Sequence, residues 1–146
     1  MHGTVRSVSN KSKNQFLLDL PNAKTHLKLF EANLLEENSF DEAVKNCSVV
    51  YHTASPFFMV KTDDPMRDFV DPAVKGTLNV LRSCATRANG GTVKRVVLTS
   101  SVASIFSHRY TTPLTRDLTE EDWNTESDPD TDPYLFSKTE AEKAAW

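Results

Sequence analysis

Tyr134 and Lys138 stand four positions apart in the stretch Tyr-Leu-Phe-Ser-Lys, close to the end of the chain. On a helix that spacing places both side chains on one face. A lysine ammonium beside a phenol favours the phenolate and brings a phenol's pKa down from about 10. A tyrosine tuned in this way can exchange a proton with a carbonyl or alcohol oxygen near neutral pH. With three tyrosines and ten lysines in 146 residues, composition alone yields the spacing about 0.2 times. The pair therefore gains meaning only from its surroundings, and an ordinary surface pair on a helix is the alternative.

The surroundings supply two further groups. Thr99-Ser100-Ser101 ends an apolar run, and Tyr134 follows Ser101 by 33 positions. Hydroxyls at a strand end can hydrogen-bond a substrate oxygen, although serine is also common where a strand simply turns. Near the other terminus, Gly3-Thr-Val-Arg6 ends in an arginine, with Lys11 and Lys13 soon after. An arginine fork matches a phosphate with two parallel hydrogen bonds. In a dinucleotide fold an acid at the end of the second strand selects NAD, and an arginine there accommodates the 2′-phosphate of NADP. A solvated basic terminus is the alternative.

These groups need elements to hold them. Thr4 and Val5 read as the end of a short strand, and residues 8–13 as polar and turn-like. A short helix is expected over residues 14–20, closed by Pro21-Asn22. Residues 26–32 alternate and read as a strand. Ser39 is placed to N-cap a helix over residues 40–46, and Val49-Val50-Tyr51 suits a buried parallel strand. Asp64-Pro65 begins a long helix to about residue 87, with Val70, Val74, Leu78, Leu81 and Ala85 at helical spacing. Pro72 should kink or restart it, and Asn89-Gly90-Gly91 should end it.

Residues 94–99 are the clearest strand. A polar loop spans residues 108–132, where Thr119-Glu-Glu-Asp122 can cap a short helix, and Pro133 starts a final helix through Ala145. Strands alternating with helices imply an α/β fold with a mostly parallel sheet covered on both faces. Right-handed crossovers then align the carboxyl ends of the strands along one edge, where ligands bind. Arg6, Leu34-Leu35, Thr53-Ala54-Ser55 and Ser100-Ser101 all leave strands at that edge.

Composition excludes several classes. Hydrophobic residues make up 38% and charged residues 25%, which suits one globular domain rather than a fibrous or low-complexity chain. The net charge of −3 argues against a general nucleic-acid binder. Only four glycines are present (Gly3, Gly76, Gly90 and Gly91), too scattered for a phosphate-binding loop. Cys47 and Cys84 lie 37 positions apart, in no metal-like spacing, and read as free thiols of a reducing compartment. No apolar run is long enough for a membrane span, and the first thirty residues are basic rather than signal-like, so the expected location is cytoplasmic. His2, His26, His52 and His108 are scattered, and His52 reads as a partly buried structural residue. The eight carboxylates between Asp117 and Asp132 read as a solvated loop, with no metal site.

Taken together, "GTVR", "ANLLEENSFDEAVKNCSVVYHTASP", "DPAVKGTLNVLRSC", "VKRVVLTSS" and "YLFSKTEAEKAAW" make the chain resemble an extended short-chain dehydrogenase/reductase. More narrowly it resembles the plant-type group of dihydroflavonol reductases and cinnamoyl-CoA reductases. The resemblance implies a Rossmann-like doubly wound parallel sheet, truncated at both ends. The first strand with its Gly-rich loop and the C-terminal substrate domain are the parts expected to be missing, so residues 1–146 are expected to be a partial NAD(P)-binding domain.

The resemblance also assigns roles. Tyr134 is implied as the general acid, and Lys138 as the group that tunes it and holds the nicotinamide ribose. Ser101, rather than Ser100, is implied to bind the substrate carbonyl. Arg6 and Lys13 match the 2′-phosphate contacts, so NADPH is the implied cofactor. Asn33-Leu34 falls where the family usually has Asp-Leu near the adenine, and Thr53, Ala54 and Ser55 match the segment lining the cofactor. Asp132-Pro-Tyr-Leu-Phe136 replaces the Asn-Trp-Tyr-Cys-Tyr signature of cinnamoyl-CoA reductases, and Phe106 stands where dihydroflavonol reductases place a substrate-binding asparagine.

The implied activity is reduction of a small aldehyde or ketone by a monomer or homodimer, without nucleic acid or membrane. Two alternatives stay open. One is a catalytically inactive product acting as a pseudo-enzyme or interaction module. The other, within the enzyme class, is a sugar-nucleotide epimerase or hydroxysteroid dehydrogenase.

Overall fold

The computed structural model describes residues 1–55, 62–85, 90–108 and 116–146. In chain order the strands are β1 (His2–Val5), β2 (Lys28–Glu31), β3 (Val49–His52) and β4 (Arg95–Leu98). The α-helices are α1 (Lys11–Leu18), α2 (Ala23–His26), α3 (Asp41–Val44), α4 (Asp71–Ala85) and α5 (Pro133–Ala145). A π-helical turn, Met66–Val70, leads into α4, and a 3-10 turn, Val102–Ser104, follows β4. Among the described residues no helix is long and apolar enough to cross a membrane.

The strands pair as β1 with β2 and β3 with β4. The first pair is parallel, in the register His2 to Lys28 through Val5 to Glu31. Gly3 permits its close approach, because a Cβ there would lie 3.2 Å from the Leu29 side chain. In the second pair the bonds ascend together, Lys94 N–H to the Ser48 carbonyl and Thr99 N–H to the His52 carbonyl. That is the parallel arrangement expected of alternating strands and helices.

The chain divides into two compact units. The first comprises Met1–Tyr51 and Asn79–Val97. Its core is apolar: Ala32, Phe40, Val44, Val80 and Cys84, with Leu34, Val50, Val93 and Val96 packed against it. The second comprises His52–Leu78 and Leu98–Trp146. There α5 packs against the π-helical turn, which buries Phe69 and Val70, and against the 3-10 turn. The latter contact is polar and small. Ser104, Ser107 and Thr139 are fully buried, and Thr139 Oγ1 donates to the carbonyls of Ala103 and Leu135 at 3.2 and 2.9 Å. Small side chains let the two backbones approach, and their hydroxyls satisfy carbonyls that would otherwise be orphaned.

Several local expectations change. Helix α1 starts at Lys11 rather than Asn14, because the Asn10 side chain caps it by accepting the Lys13 N–H. Ser39 does not cap α3; its hydroxyl donates to the Asn33 carbonyl at 2.7 Å, and Asn38 at φ 62° turns the chain so that the helix begins at Asp41. The strand β3 is not buried throughout: Val49 is 41% exposed and Tyr51 72%, since alternate residues point away from its packed side.

In α4 the helical period holds, but the buried stripe is Ala73, Thr77, Val80 and Cys84 rather than the one ending in Ala85, which is exposed. The chain regains α-helical form at Asp71, next to Pro72, after the π-helical turn. The expected end of that helix at residues 86–89 lies outside the described residues, as does the start of the polar loop at 109–115. Thr119 N–H donates to the Asp122 carboxylate, but Thr119 Oγ1 accepts from Glu121 N–H rather than from Asp122 N–H, so the segment closes a turn and no helix. Pro133 opens α5 at its first turn, as expected.

Candidate active site

The second unit gathers the chemistry. Strand β4 ends at the half-buried Leu98, and the exposed Thr99 and Ser100 follow it. Helix α5 brings Tyr134, Lys138 and Glu142 to successive turns of one face. A pocket within this unit is lined by Ala54, Ser55, Thr77, Ser100, Lys138 and Glu142, among others.

Lys138 is the centre of this arrangement. It is only 8% exposed, and its Nζ donates to the Thr99 carbonyl at 3.4 Å. Burial pushes its pKa below the ordinary lysine value, and the Glu142 carboxylate opposes that shift. Its own carbonyl accepts the Ser104 hydroxyl at 3.1 Å. Beside it His52 is 4% exposed, and burial followed by the Lys138 charge lowers its pKa from 6.5. The Nε2 of His52 has no hydrogen-bond partner among the described residues.

The two serines part company. Ser101 caps the 3-10 turn, its Oγ accepting the Ala103 N–H at 3.2 Å. Ser100 lines the pocket and donates to the Glu142 carboxylate. Tyr134 is half-buried, one turn before Lys138, and neither it nor Ser101 and Thr53 is part of the pocket lining. Ala54 and Ser55 are.

Four of the expected site residues belong to the first unit. Arg6 is exposed immediately after β1, and Lys13 is exposed in the first turn of α1. Asn33 forms a local turn, its Oδ1 accepting the Leu35 N–H at 3.1 Å, and Leu34 packs on the apolar core. Thr77, Ser104 and Glu142 were not anticipated. Only Glu142 carried a usable signal, its position four residues after Lys138.

Residues 2–145 match the model of the 3-beta hydroxysteroid dehydrogenase/isomerase family. The chain belongs to that family. Within it, the chain is 46% identical over 147 residues to a cinnamoyl-CoA reductase of Medicago truncatula, covering 98% of this chain and 43% of that protein. It is 44% identical to a putative anthocyanidin reductase of Ginkgo biloba, with 99% and 42% covered. Among solved structures it is similar to the yeast methylglyoxal/isovaleraldehyde reductase Gre2 complexed with NADPH, at 33% identity and a TM-score of 0.82. That match covers 99% of this chain and 44% of the yeast one. The chain thus spans less than half the length of the relatives it matches. The α/β fold with parallel strands is that of Rossmann-type reductases, and the plant-reductase resemblance read from the motifs is borne out.

Proposed function

We propose that the chain is the catalytic portion of an NADPH-dependent reductase of small aldehydes or ketones. The observation that carries the reading is the placement of Lys138. It is a buried ammonium at the end of β4, one helical turn from Tyr134, in a pocket lined by hydroxyls. Burying a lysine is unfavourable unless its charge is used, so such groups concentrate at functional sites.

The donor set fits a nicotinamide dinucleotide. Ser55, Thr77, Ser100 and the Lys138 ammonium offer hydroxyl and ammonium partners for ribose oxygens. Arg6 and Lys13 supply cations suited to a 2′-phosphate, and Asn33 and Leu34 are assigned to the adenine side. Thr53, Ala54 and Ser55 are assigned to the wall along the cofactor. When bound, NADPH supplies the hydride.

The chain's own residues do the rest. Tyr134 holds a proton at its phenolic oxygen and gives it to the substrate oxygen as negative charge develops there. Lys138 holds ribose hydroxyls and places positive charge on the same helix face. Ser101 Oγ accepts the Ala103 N–H, which leaves its proton to donate to the substrate carbonyl. Cys47 and Cys84 are both unpaired thiols, in keeping with a reducing, cytoplasmic setting. A monomer or homodimer acting on a small-molecule carbonyl completes the proposal.

The test is an NADPH titration of the 146-residue chain with NADH as control, followed by absorbance assays with methylglyoxal, isovaleraldehyde and cinnamoyl-CoA. Saturable binding that favours NADPH supports the reading. A folded chain that binds neither cofactor overturns it and leaves a binding module in its place.

A further inference from the structure

The contacts around Ser100 reach across 42 residues of sequence and end on one helical turn of α5. Ser100 Oγ donates to the Glu142 carboxylate and lies 3.2 Å from Ser104 Oγ. Ser104, itself fully buried, donates to the Lys138 carbonyl at 3.1 Å. Each hydroxyl has one proton. Ser104 gives its proton to the carbonyl and Ser100 gives its own to the carboxylate, so the two serines anchor α5 separately, one at the Lys138 backbone and the other at the Glu142 side chain. Ser100, Lys138 and Glu142 line the same pocket.

Simple helix stabilisation does not account for Glu142. A lysine followed four residues later by a glutamate is the weaker order of such a pair. The carboxylate is instead tethered from outside the helix, by a strand-end serine.

We propose that Glu142, pinned by Ser100, is a positioning residue that keeps the buried Lys138 side chain charged and aimed into the pocket. The inference rests on the reading of Lys138 as a cofactor-holding group. Burial drives Lys138 toward its neutral form, in which it would lose a donor and its charge. The Glu142 carboxylate, fixed one turn along the same helix face and lining the same pocket, opposes that change.

The other charged groups around α5 do not serve this purpose. His52, from β3, is held toward its neutral form. Arg67 and Asp68, from the π-helical turn, pair with each other at 2.8 Å. Lys143 pairs with Glu140 at 3.0 Å, and Asp132, just before the helix, lies 3.1 Å from His108. The 3-10 turn carries no titratable side chain.

The experiment is a pH titration of the Lys138 side-chain resonance in the full chain with isotope-labelled lysine. The resonance is identified by its loss in Lys138→Met. In Glu142→Gln the Lys138 midpoint falls; in Glu142→Asp it stays near wild type; in Glu140→Gln it does not move. An unchanged midpoint in Glu142→Gln overturns the proposal. Should that variant not fold, Ser100→Ala decides, since it keeps the carboxylate but releases it: a lowered midpoint supports the proposal, and an unchanged one overturns it. NADPH titration of the same wild-type sample separates the two ideas. A midpoint that moves in a chain that binds no NADPH sinks the cofactor reading alone, and a fixed midpoint in a chain that binds NADPH sinks the positioning role alone.

Discussion

The Lys138 ammonium donates to the Thr99 carbonyl at 3.4 Å, while the N–H of the same residue, Thr99, donates to the His52 carbonyl at 3.0 Å. A single residue at the end of β4 thus ties the candidate lysine to the neighbouring strand. The contact is long for a charged hydrogen bond, so it guides Lys138 without saturating its three donors. A buried ammonium held by one weak partner contributes little to folding. Lys138→Met should therefore unfold at a urea concentration no lower than wild type, while NADPH affinity falls by about tenfold or more. Tyr134→Phe should bind NADPH within about twofold of wild type and slow carbonyl reduction by about 100-fold or more. Equal losses of affinity in both variants would contradict this division of roles.

Arg6 is exposed immediately after β1 and forms no ion pair with a carboxylate among the described residues. Its fork can engage a phosphate, and charge-assisted contacts of that kind are worth about 1.5–3 kcal/mol. Arg6→Ala should weaken NADPH binding about tenfold and leave NADH binding nearly unchanged. Parallel cofactor titrations check this. An equal loss for both cofactors would show that Arg6 does not read the 2′-phosphate.

Much of this was legible in the sequence, because it depends on local chemistry. Pro133 marks the first turn of α5, and the run ending at Leu98 marks a strand, so Tyr134, Lys138 and Ser101 are assigned to their elements by their own neighbours, whereas the serine that lines the pocket is Ser100. The period of α4 was equally readable, but its buried stripe was not. Apolar residues occur on two sides of that helix, and only the packing of Val80 and Cys84 on Phe40 and Val44 selects one. Ser39 has the right type for a cap, yet its hydroxyl finds Asn33 six residues back. The Ser100–Glu142 bond depends on a strand end meeting a helix far along the chain, and no local pattern encodes that.

Cys84 lies in the apolar core at 9% exposure, and burial together with the Cys47 thiol pushes its pKa up to about 11. A thiol reacts as its thiolate, so Cys84 should be nearly inert at neutral pH. Alkylation of the native chain at pH 8, read by mass spectrometry, should label Cys47 first. Cys84 should be labelled only after denaturant is added. Rapid labelling of both cysteines in the folded chain would mean that the core around Phe40 and Val80 opens far more readily than its packing implies.

His52 makes stability depend on pH. Burial, and then the Lys138 charge, lowers its folded-state pKa below the ordinary 6.5. Between the two values the unfolded chain binds more protons than the folded one, so stability rises with pH through that window. The contribution is fully present above pH 6.5 and is lost as the pH falls through the folded value. The urea midpoint should therefore decline on acidification from pH 7, and His52→Gln should flatten the decline. Carboxylates such as Asp68 and Asp122, whose pKa values are lowered by Arg67 and Arg116, act only at more acidic pH. A slope between pH 5 and pH 7 that survives His52→Gln would assign the effect to another group.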